Sequence, residues 1–384
     1  MRRLIGFSLF SLTLALLPVF ANPSYATPEF ATYIVVLQPT ADHGSAAREF
    51  GKAGWRIEHD YKKVFSGFAV TLPVSAAAAL AHNPKVQYIE LDSEVTGFDI
   101  QAPAPSWGLD RIDQREMPLS NTYEYSAEGG GAGVSAYIVD TGVLSTHSDF
   151  AGRVAKGFSA ISDPVNTTED CNGHGTHVAG TLAGSVYGVA KQATIVPVRV
   201  LNCQGAGTTS GVLAGLDWVT TDHTSGPAVV NMSLGGKPSK ALDAAVLSVI
   251  EDGITVVVAA GNAHSSACNS SPARVSEAIT VGATNSSDTR APYSNFGKCV
   301  DIFAPGSYIT SDWFSSTTAT NTISGTSMAT PHAAGVAALL LSRTPTLTPT
   351  QVAFELTATA TAGVLADAGP DTPNLLLYSD PLGG

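Results

Sequence analysis

Hydrophobic positions along the chain fall into two textures. From about Thr27 to Thr96 the runs "TYIVVLQP", "SGFAVTLP" and "KVQYIELD" read as short strands, with "AAREFGKAG" and "VSAAAALAHNP" as short helices between them. That order predicts a small α+β domain of the split βαβ, ferredoxin-like kind. From Trp107 onward the strands become continuous apolar runs, "SAYIVD", "ATIVPVRV", "AVVNMSL", "ITVVVAAGN" and "AITVGAT", as expected of strands buried on both faces. The segments "TTSGVLAGLDWVTT" and "SKALDAAVLSVIEDG" carry apolar residues at helical spacing. Strands alternating with helices predict an α/β domain, a parallel sheet with right-handed crossovers and helices on both faces. In such sheets functional groups gather at the carboxyl ends of the strands.

The ends and joints of this pattern have their own signals. Arg2 and Arg3 precede an apolar run from Leu4 to Leu17, then Pro18 and a small-residue "SYA" ending at Ala26, the layout of a secretory signal peptide over residues 1–26. The run is shorter than the roughly 20 residues of a spanning helix, so no membrane association is expected once it is removed. The Pro- and Ala-rich stretch "DIQAPAPSWG", Asp99 to Gly108, reads as an extended linker and a cut site. The expected division is a leader domain over 27–101, cut near Gln101, and a main domain over 102–384. Because the chain stops soon after "PNLLLYSD", no further C-terminal domain is expected.

Composition narrows the partners. A chain of 384 residues, 44% hydrophobic and 14% charged, can bury a large core. A net charge of -12 with no basic stripe excludes a nucleic-acid partner. Export would place Cys171, Cys203, Cys268 and Cys299 where pairing is favoured, and the four allow three connectivities. None forms CxxC, so a zinc ribbon is not expected.

Candidate chemistry sits at the predicted strand ends. Asp140 follows the apolar run "SAYIV" and precedes Thr141-Gly142; alone it could cap a turn. An aspartic protease would need a second such carboxylate, and Asp288-Thr289 and Asp371-Thr372 are followed by Arg and Pro. His174 lies in "CNGHGTHVAGTLAG", where glycines turn the chain into a helix. His177, on the same helix face, raises a His-x-x-His metal pair, but no Glu follows His174 and no third ligand is evident, so a packed His177 is expected. Ser327, in "SGTSMATPHAAG", is placed at a helix start, where unpaired N–H groups and the helix dipole favour negative charge. The plainer reading is a serine N-cap. Gly325 would let a substrate backbone approach, and Pro331 is placed in the first turn, where no N–H is lost. Asn262, ending "TVVVAAGN", offers an amide donor at another strand end. Turns and caps give no reason for a carboxylate, an imidazole, an amide and a hydroxyl to share one sheet edge.

The blocks "YIVDTGV", "NGHGTHVAG", "NMSLGG", "AAGN" and "GTSMATPHAAG" match in order those of the subtilisin-like serine proteases, a family this chain resembles. More narrowly it is similar to the proteinase K group and its secreted bacterial aqualysin-type members. The resemblance implies a secreted serine endopeptidase needing no cofactor for catalysis. Ser327 would be nucleophile, His174 base and then acid, Asp140 the group orienting it, and Asn262 with the Ser327 amide the oxyanion hole. It further implies that Ser233, Leu234 and Gly235, with Gly205 opposite, pair with an extended protein or peptide substrate. Ala259, Ala260 and Gly261 would wall a roomy pocket for apolar or aromatic residues. The leader resembles the family's propeptide, chaperone and inhibitor of its own enzyme, removed by self-cleavage. The pairing implied is Cys171 with Cys203 and Cys268 with Cys299. Structural calcium is implied at Asp110, Asp113 and Gln114 in "LDRIDQREMPLS", and at Asp288 with carbonyls near Pro272; the alternative is solvated acids. A monomer is expected. An inactive relative serving as a binding module would usually lack a triad member, and an α/β-hydrolase esterase would show Gly-x-Ser-x-Gly followed by Asp and His; neither fits.

Overall fold

The computed structural model describes residues 29–92, 98–126, 130–162 and 167–380; the expected signal peptide over 1–26 lies outside them. Contacts divide the chain into two units, residues 1–95 and 96–384, each with its own core.

The smaller unit runs β1 (Phe30–Leu37), α1 (His43–Lys52), β2 (Arg56–Tyr61), β3 (Gly67–Pro73), α2 (Val74–Ala81) and β4 (Val86–Leu91). Its strands pair antiparallel in the order β2-β3-β1-β4, the split βαβ arrangement. Ala46 and Phe50 of α1 and Ala77 and Leu80 of α2 close over Val35, Phe68, Val70 and Leu72. Asp42 caps α1 by accepting from Ser45 N–H. The edge strand β2 is mostly exposed, so no apolar alternation announced it in the sequence.

The larger unit begins β5 (Phe98–Gln101), α3 (Trp107–Ile112), β6 (Tyr123–Ser126), β7 (Ser135–Asp140), β8 (Phe158–Ser159), α4 (His174–Ala183) and β9 (Thr194–Arg199). It continues α5 (Thr209–Asp222), β10 (Ala228–Met232), α6 (Lys240–Glu251), β11 (Thr255–Ala259), β12 (Ile279–Thr284) and β13 (Ile302–Pro305). Last come β14 (Ile309–Asp312), β15 (Thr320–Ile323), α7 (Thr326–Arg343), α8 (Pro349–Thr359), β16 (Thr361–Ala362) and β17 (Leu375–Leu376). Nine strands form one sheet in the order β16-β17-β13-β12-β11-β10-β7-β9-β8, parallel except at β16. Alternate side chains of β7 serve opposite faces. Ala136 and Ile138 pack with Val178 and Leu182 of α4 and Ala333 and Val336 of α7, while Tyr137 and Val139 pack with Leu216 of α5 and Val246 of α6. Each fully buried Val or Leu contributes about 1.5–3 kcal/mol. The doubly buried strands therefore read as unbroken apolar runs, and the starts of α4 and α7 lie at the carboxyl edge of the sheet.

The joint between the units differs from the expected division at residue 101. Phe98–Gln101 is a strand of the larger unit, paired antiparallel with Tyr123–Ser126. Gln101 is held by its side chain: its amide donates to Val186 O, and Lys191 Nζ donates to its Oε1. Proline and alanine content signals an extended chain, and an extended chain can as well be a paired strand as a linker.

One buried group sets a pH dependence. Asp312, at the end of β14, has no exposure, and neither carboxylate oxygen has a donor in reach. Its neighbour Asp149 already accepts from Val186 N–H and Tyr187 N–H. His147 Nδ1, 3.5 Å from Asp312 Oδ1, accepts from Asp149 N–H and so presents no proton there. Burial first, then the Asp149 charge, pushes Asp312 up to about 9, against the opposing charge of Arg153. Asp312 is thus a neutral acid at pH 7, able to share its proton with Asp149. An unfolded Asp ionises near pH ~3.9, so above that pH folding takes up a proton and this group's contribution to stability falls until about pH 9. Asp312→Asn, which needs no proton, is expected to gain Tm over the wild type progressively as pH rises through that window. A Tm difference independent of pH would contradict this.

Candidate active site

The carboxyl edge of the sheet gathers the predicted groups. Asp140 ends β7 with no exposure, and its Oδ1 accepts from Thr141 N–H at 2.7 Å and from His174 Nδ1 at 2.7 Å. Oδ2 is buried with no donor. His174 is the first residue of α4, and the cap before it is Gly173 at φ 109°, where a Cβ would lie 2.4 Å from the Trp313 ring. Gly175 is equally forced, since a Cβ there would meet Gly142 O at 2.1 Å. Glycine at both positions lets α4 start against the end of β7. Burial alone would lower the His174 pKa; the charge and hydrogen bond of Asp140 outweigh it and hold the imidazole above the usual 6.5. Among the described residues His174 Nε2 has no hydrogen-bond partner, and the side chain lines a cavity of about 690 Å³. His177 is enclosed, its Nε2 donating to Ile309 O at 3.0 Å, and burial pushes it down to about 3. It is a packed histidine, not half of a metal pair.

Ser327 is the second residue of α7, and the cap is Gly325, not a serine. Ser327 N–H is therefore among the first-turn amides with no helical partner. Pro331 lies beyond the first turn, contrary to its expected place, and removes the N–H that would reach Ser327 O four residues back. That carbonyl is satisfied instead by Ser233 Oγ at 2.8 Å. In return Ser327 Oγ donates to Ser233 O at 3.1 Å, and no hydrogen bond joins it to His174. Catalytic hydrogen bonds are often loose before substrate binds.

Asn262 is oriented by a residue the sequence did not single out. Its Oδ1 accepts from Thr326 N–H at 2.8 Å and from Thr326 Oγ1 at 2.9 Å, which leaves the amide N–H₂ as the free end beside Gly325. Asn262, Ser327, Ala259 and Gly261 line a cavity of about 250 Å³ with no charged lining residue. Ser233, Leu234 and Gly235 border it and the larger cavity, which Gly205 also lines. Gly205 N–H is spent on Asn202 O in a turn. The Ala260 side chain packs with Ala267, Ala273 and Phe303 in a small core, turned from the cavity that Ala259 and Gly261 line. Asn295 Nδ2 donates to Ala260 O and so ties this wall from behind. Cys171 is bonded to Cys203 and Cys268 to Cys299, the pairing implied by the resemblance. The first bridge joins the approach to α4 with the loop lining the larger cavity, and each stabilises by about 2–4 kcal/mol.

A parallel sheet of this topology, with Asp140, His174 and Ser327 drawn to one edge, defines the class. Residues 131–374 match the model of the subtilase family of peptidases, and residues 32–97 match that of the peptidase inhibitor I9 domain. The chain belongs to the subtilase family; it is a secreted subtilisin-like serine endopeptidase with an N-terminal inhibitor domain. It is similar to the extracellular serine proteinase of Thermus sp. (strain Rt41A), 56% identical over 90% of this chain and 83% of the relative. It is 46% identical to the alkaline serine exoprotease A of Vibrio alginolyticus, over 90% of this chain and 67% of that one. The crystal structure of a cold adapted subtilisin-like serine proteinase matches with TM-score 0.68 at 53% identity, covering 71% of this chain and 97% of that chain. Among the described residues no helix is long and apolar enough to cross a membrane.

The expected calcium ligands divide. No group of three His, Cys, Asp or Glu is gathered for a metal among the described residues, so a cation would need amide and backbone oxygens as well. The loop after α3 fits that demand. Asp113 Oδ1 is buried with no donor, and burial, then the charges of Asp110 and Glu124, push Asp113 up to about 7. Asp110 accepts from Ser120 and Asn121, and Gln114 Oε1 from Ser120 N–H, folding the loop around these oxygens. Asp288 does not fit: both its oxygens accept from the buried Arg111, Nε at 2.7 Å and Nη2 at 3.0 Å. The carboxylate by the Pro272 turn is Asp301, which accepts from Thr280 N–H while Thr280 Oγ1 donates to Ala273 O. Chelation is expected to lower the Tm of the wild type and to leave that of Asp113→Asn unmoved. An unchanged wild-type Tm would count against the loop as a calcium site.

Proposed function

We propose that the chain hydrolyses peptide bonds of proteins with broad sequence tolerance, through an acyl-enzyme formed on Ser327. The observation that carries this is the Asp140–His174 hydrogen bond at the sheet edge where Ser327 opens α7. Ser327 Oγ turns from Ser233 O to His174 Nε2, gives up its proton there and attacks the substrate carbonyl carbon. The charge on the carbonyl oxygen is taken by Asn262 Nδ2–H and Ser327 N–H. The proton on His174 then passes to the leaving amine, and a water, deprotonated by the same imidazole, releases the acyl group. Asp140 fixes the imidazole tautomer and stabilises its cation.

The substrate lies as an added strand along Ser233 to Gly235, with the Gly205 loop on its other side, so main-chain pairing gives affinity with little sequence demand. The uncharged cavity bounded by Ala259 and Gly261 takes an apolar or aromatic side chain before the cut. Asp110, Asp113 and Gln114 would hold calcium, which would supply structural charge balance in that loop. The enzyme acts as a monomer, with its leader as folding aid and inhibitor. The self-cut that releases the leader falls near Gln101.

Two measurements test the reading. By intact mass, the wild-type precursor is expected to split near Gln101 and its Ser327→Ala variant to stay whole; equal splitting of both would remove the self-processing claim. His174 must be neutral to act as base, and its pKa is held above 6.5, so activity is expected to fall as pH drops through a value above 6.5. Asp140→Asn removes the raising charge and is expected to move that limb to lower pH; an unmoved limb would count against the Asp140 role.

A further inference from the structure

We propose that Asp170 is a positioning residue for the Asp140–His174 couple, a clamp that fixes the end of β7 to the first turn of α4. This role presupposes the triad reading. Asp170 lines neither cavity and is 7% exposed, so it touches no substrate. Its carboxylate takes five donors. Oδ1 accepts from Thr141 Oγ1, Asn172 N–H and Gly173 N–H, each at 2.9 Å. Oδ2 accepts from Thr176 N–H at 2.9 Å and Thr176 Oγ1 at 2.6 Å.

The two threonines cross-brace the elements. Thr141, just past β7, gives its proton to Asp170 and accepts Gly175 N–H of α4 at 2.8 Å. Thr176, in α4, gives its proton to Asp170 and accepts Leu144 N–H of the loop after β7 at 3.0 Å. By taking each hydroxyl's proton, the carboxylate fixes the rotor so that a lone pair points at the N–H of the opposite element. Both threonines have no exposure, so no water substitutes for that acceptor. Thr141 adjoins Asp140, and Gly173 and Gly175 flank His174; the clamp therefore grips both ends of the 2.7 Å couple without joining it. The Asp170 charge also lies near enough to favour the protonated imidazole.

Asp170→Asn replaces an acceptor oxygen with an N–H₂ that faces donors. In the folded variant kcat for a chromogenic peptide is expected to fall about 10²-fold, the scale of a small misplacement of reacting groups, with KM nearly unchanged. The acid limb of kcat/KM is expected to move to lower pH. If Asp170→Asn yields no folded protein, Thr176→Val and Thr176→Ser decide: the valine variant should lower kcat and shift the limb in the same direction, and the serine variant, which keeps the hydroxyl, should restore both. An acid limb that stays at its wild-type pH in folded Asp170→Asn or Thr176→Val, whatever happens to Tm, overturns the clamp. His174→Ala, measured alongside, separates the two claims. If it still hydrolyses the peptide, the triad reading has failed; if it is inactive and the Asp170→Asn limb is unmoved, only the clamp has.

Discussion

A carboxylate with no access to water has to be supplied with donors, and Asp140 receives both of its own at one oxygen. Burying such a charge without partners costs several kcal/mol, so the imidazole of His174 is part of what makes the position tenable. That requirement shapes the neighbourhood. The turn after β7 must expose Thr141 N–H, and α4 must begin where His174 Nδ1 can reach, which forces glycine at positions 173 and 175. Parallel topology does the rest, because it delivers strand ends and helix starts to one edge.

The second half of the site follows from a helix start in the same way. At α7 Thr326 N–H is taken by Asn262 and Met328 N–H by Gly325 O, which leaves Ser327 N–H as the unspent amide of the first turn, and Pro331 frees one more backbone group, the Ser327 carbonyl. Ser233 Oγ takes that carbonyl, so the strand edge proposed to hold substrate is tied to the residue proposed to attack it. Thr326 holds Asn262 by its carbonyl end, leaving the amide protons as the only face it can present. Two neighbouring residues of one helix turn thus supply the nucleophile and the support of the second oxyanion donor.

Much of this was legible in the sequence and some of it was not, for identifiable reasons. Asp140, Asn262 and the start of α7 could be read because buried parallel strands are unbroken apolar runs, and what ends them is exposed to function. His174 could be read from its glycines. Asp170 could not, since Thr141, 29 residues away, joins Asn172, Gly173 and Thr176 around its carboxylate only in the folded chain. Arg111 and Asp288 are 177 residues apart in the chain, so nothing local distinguished Asp288 from a cation ligand. Nothing in "AAGN" tells Ala259, which lines the cavity, from Ala260, whose side chain is packed in a small core. β5 was hidden because a Pro- and Ala-rich stretch looks the same in a strand as in a linker, and Asp312 because a lone Asp carries no mark of burial.

The reading stands on Ser327 being an activated hydroxyl among many ordinary ones, and a sulfonyl fluoride asks that most directly. The mature enzyme would be treated with the reagent, digested and mapped by mass, beside a His174→Ala sample. Capture of one sulfonyl group on Ser327, absent from the His174→Ala sample, is the expected result. Labelling spread over other serines, or equal labelling of Ser327 without His174, would contradict it.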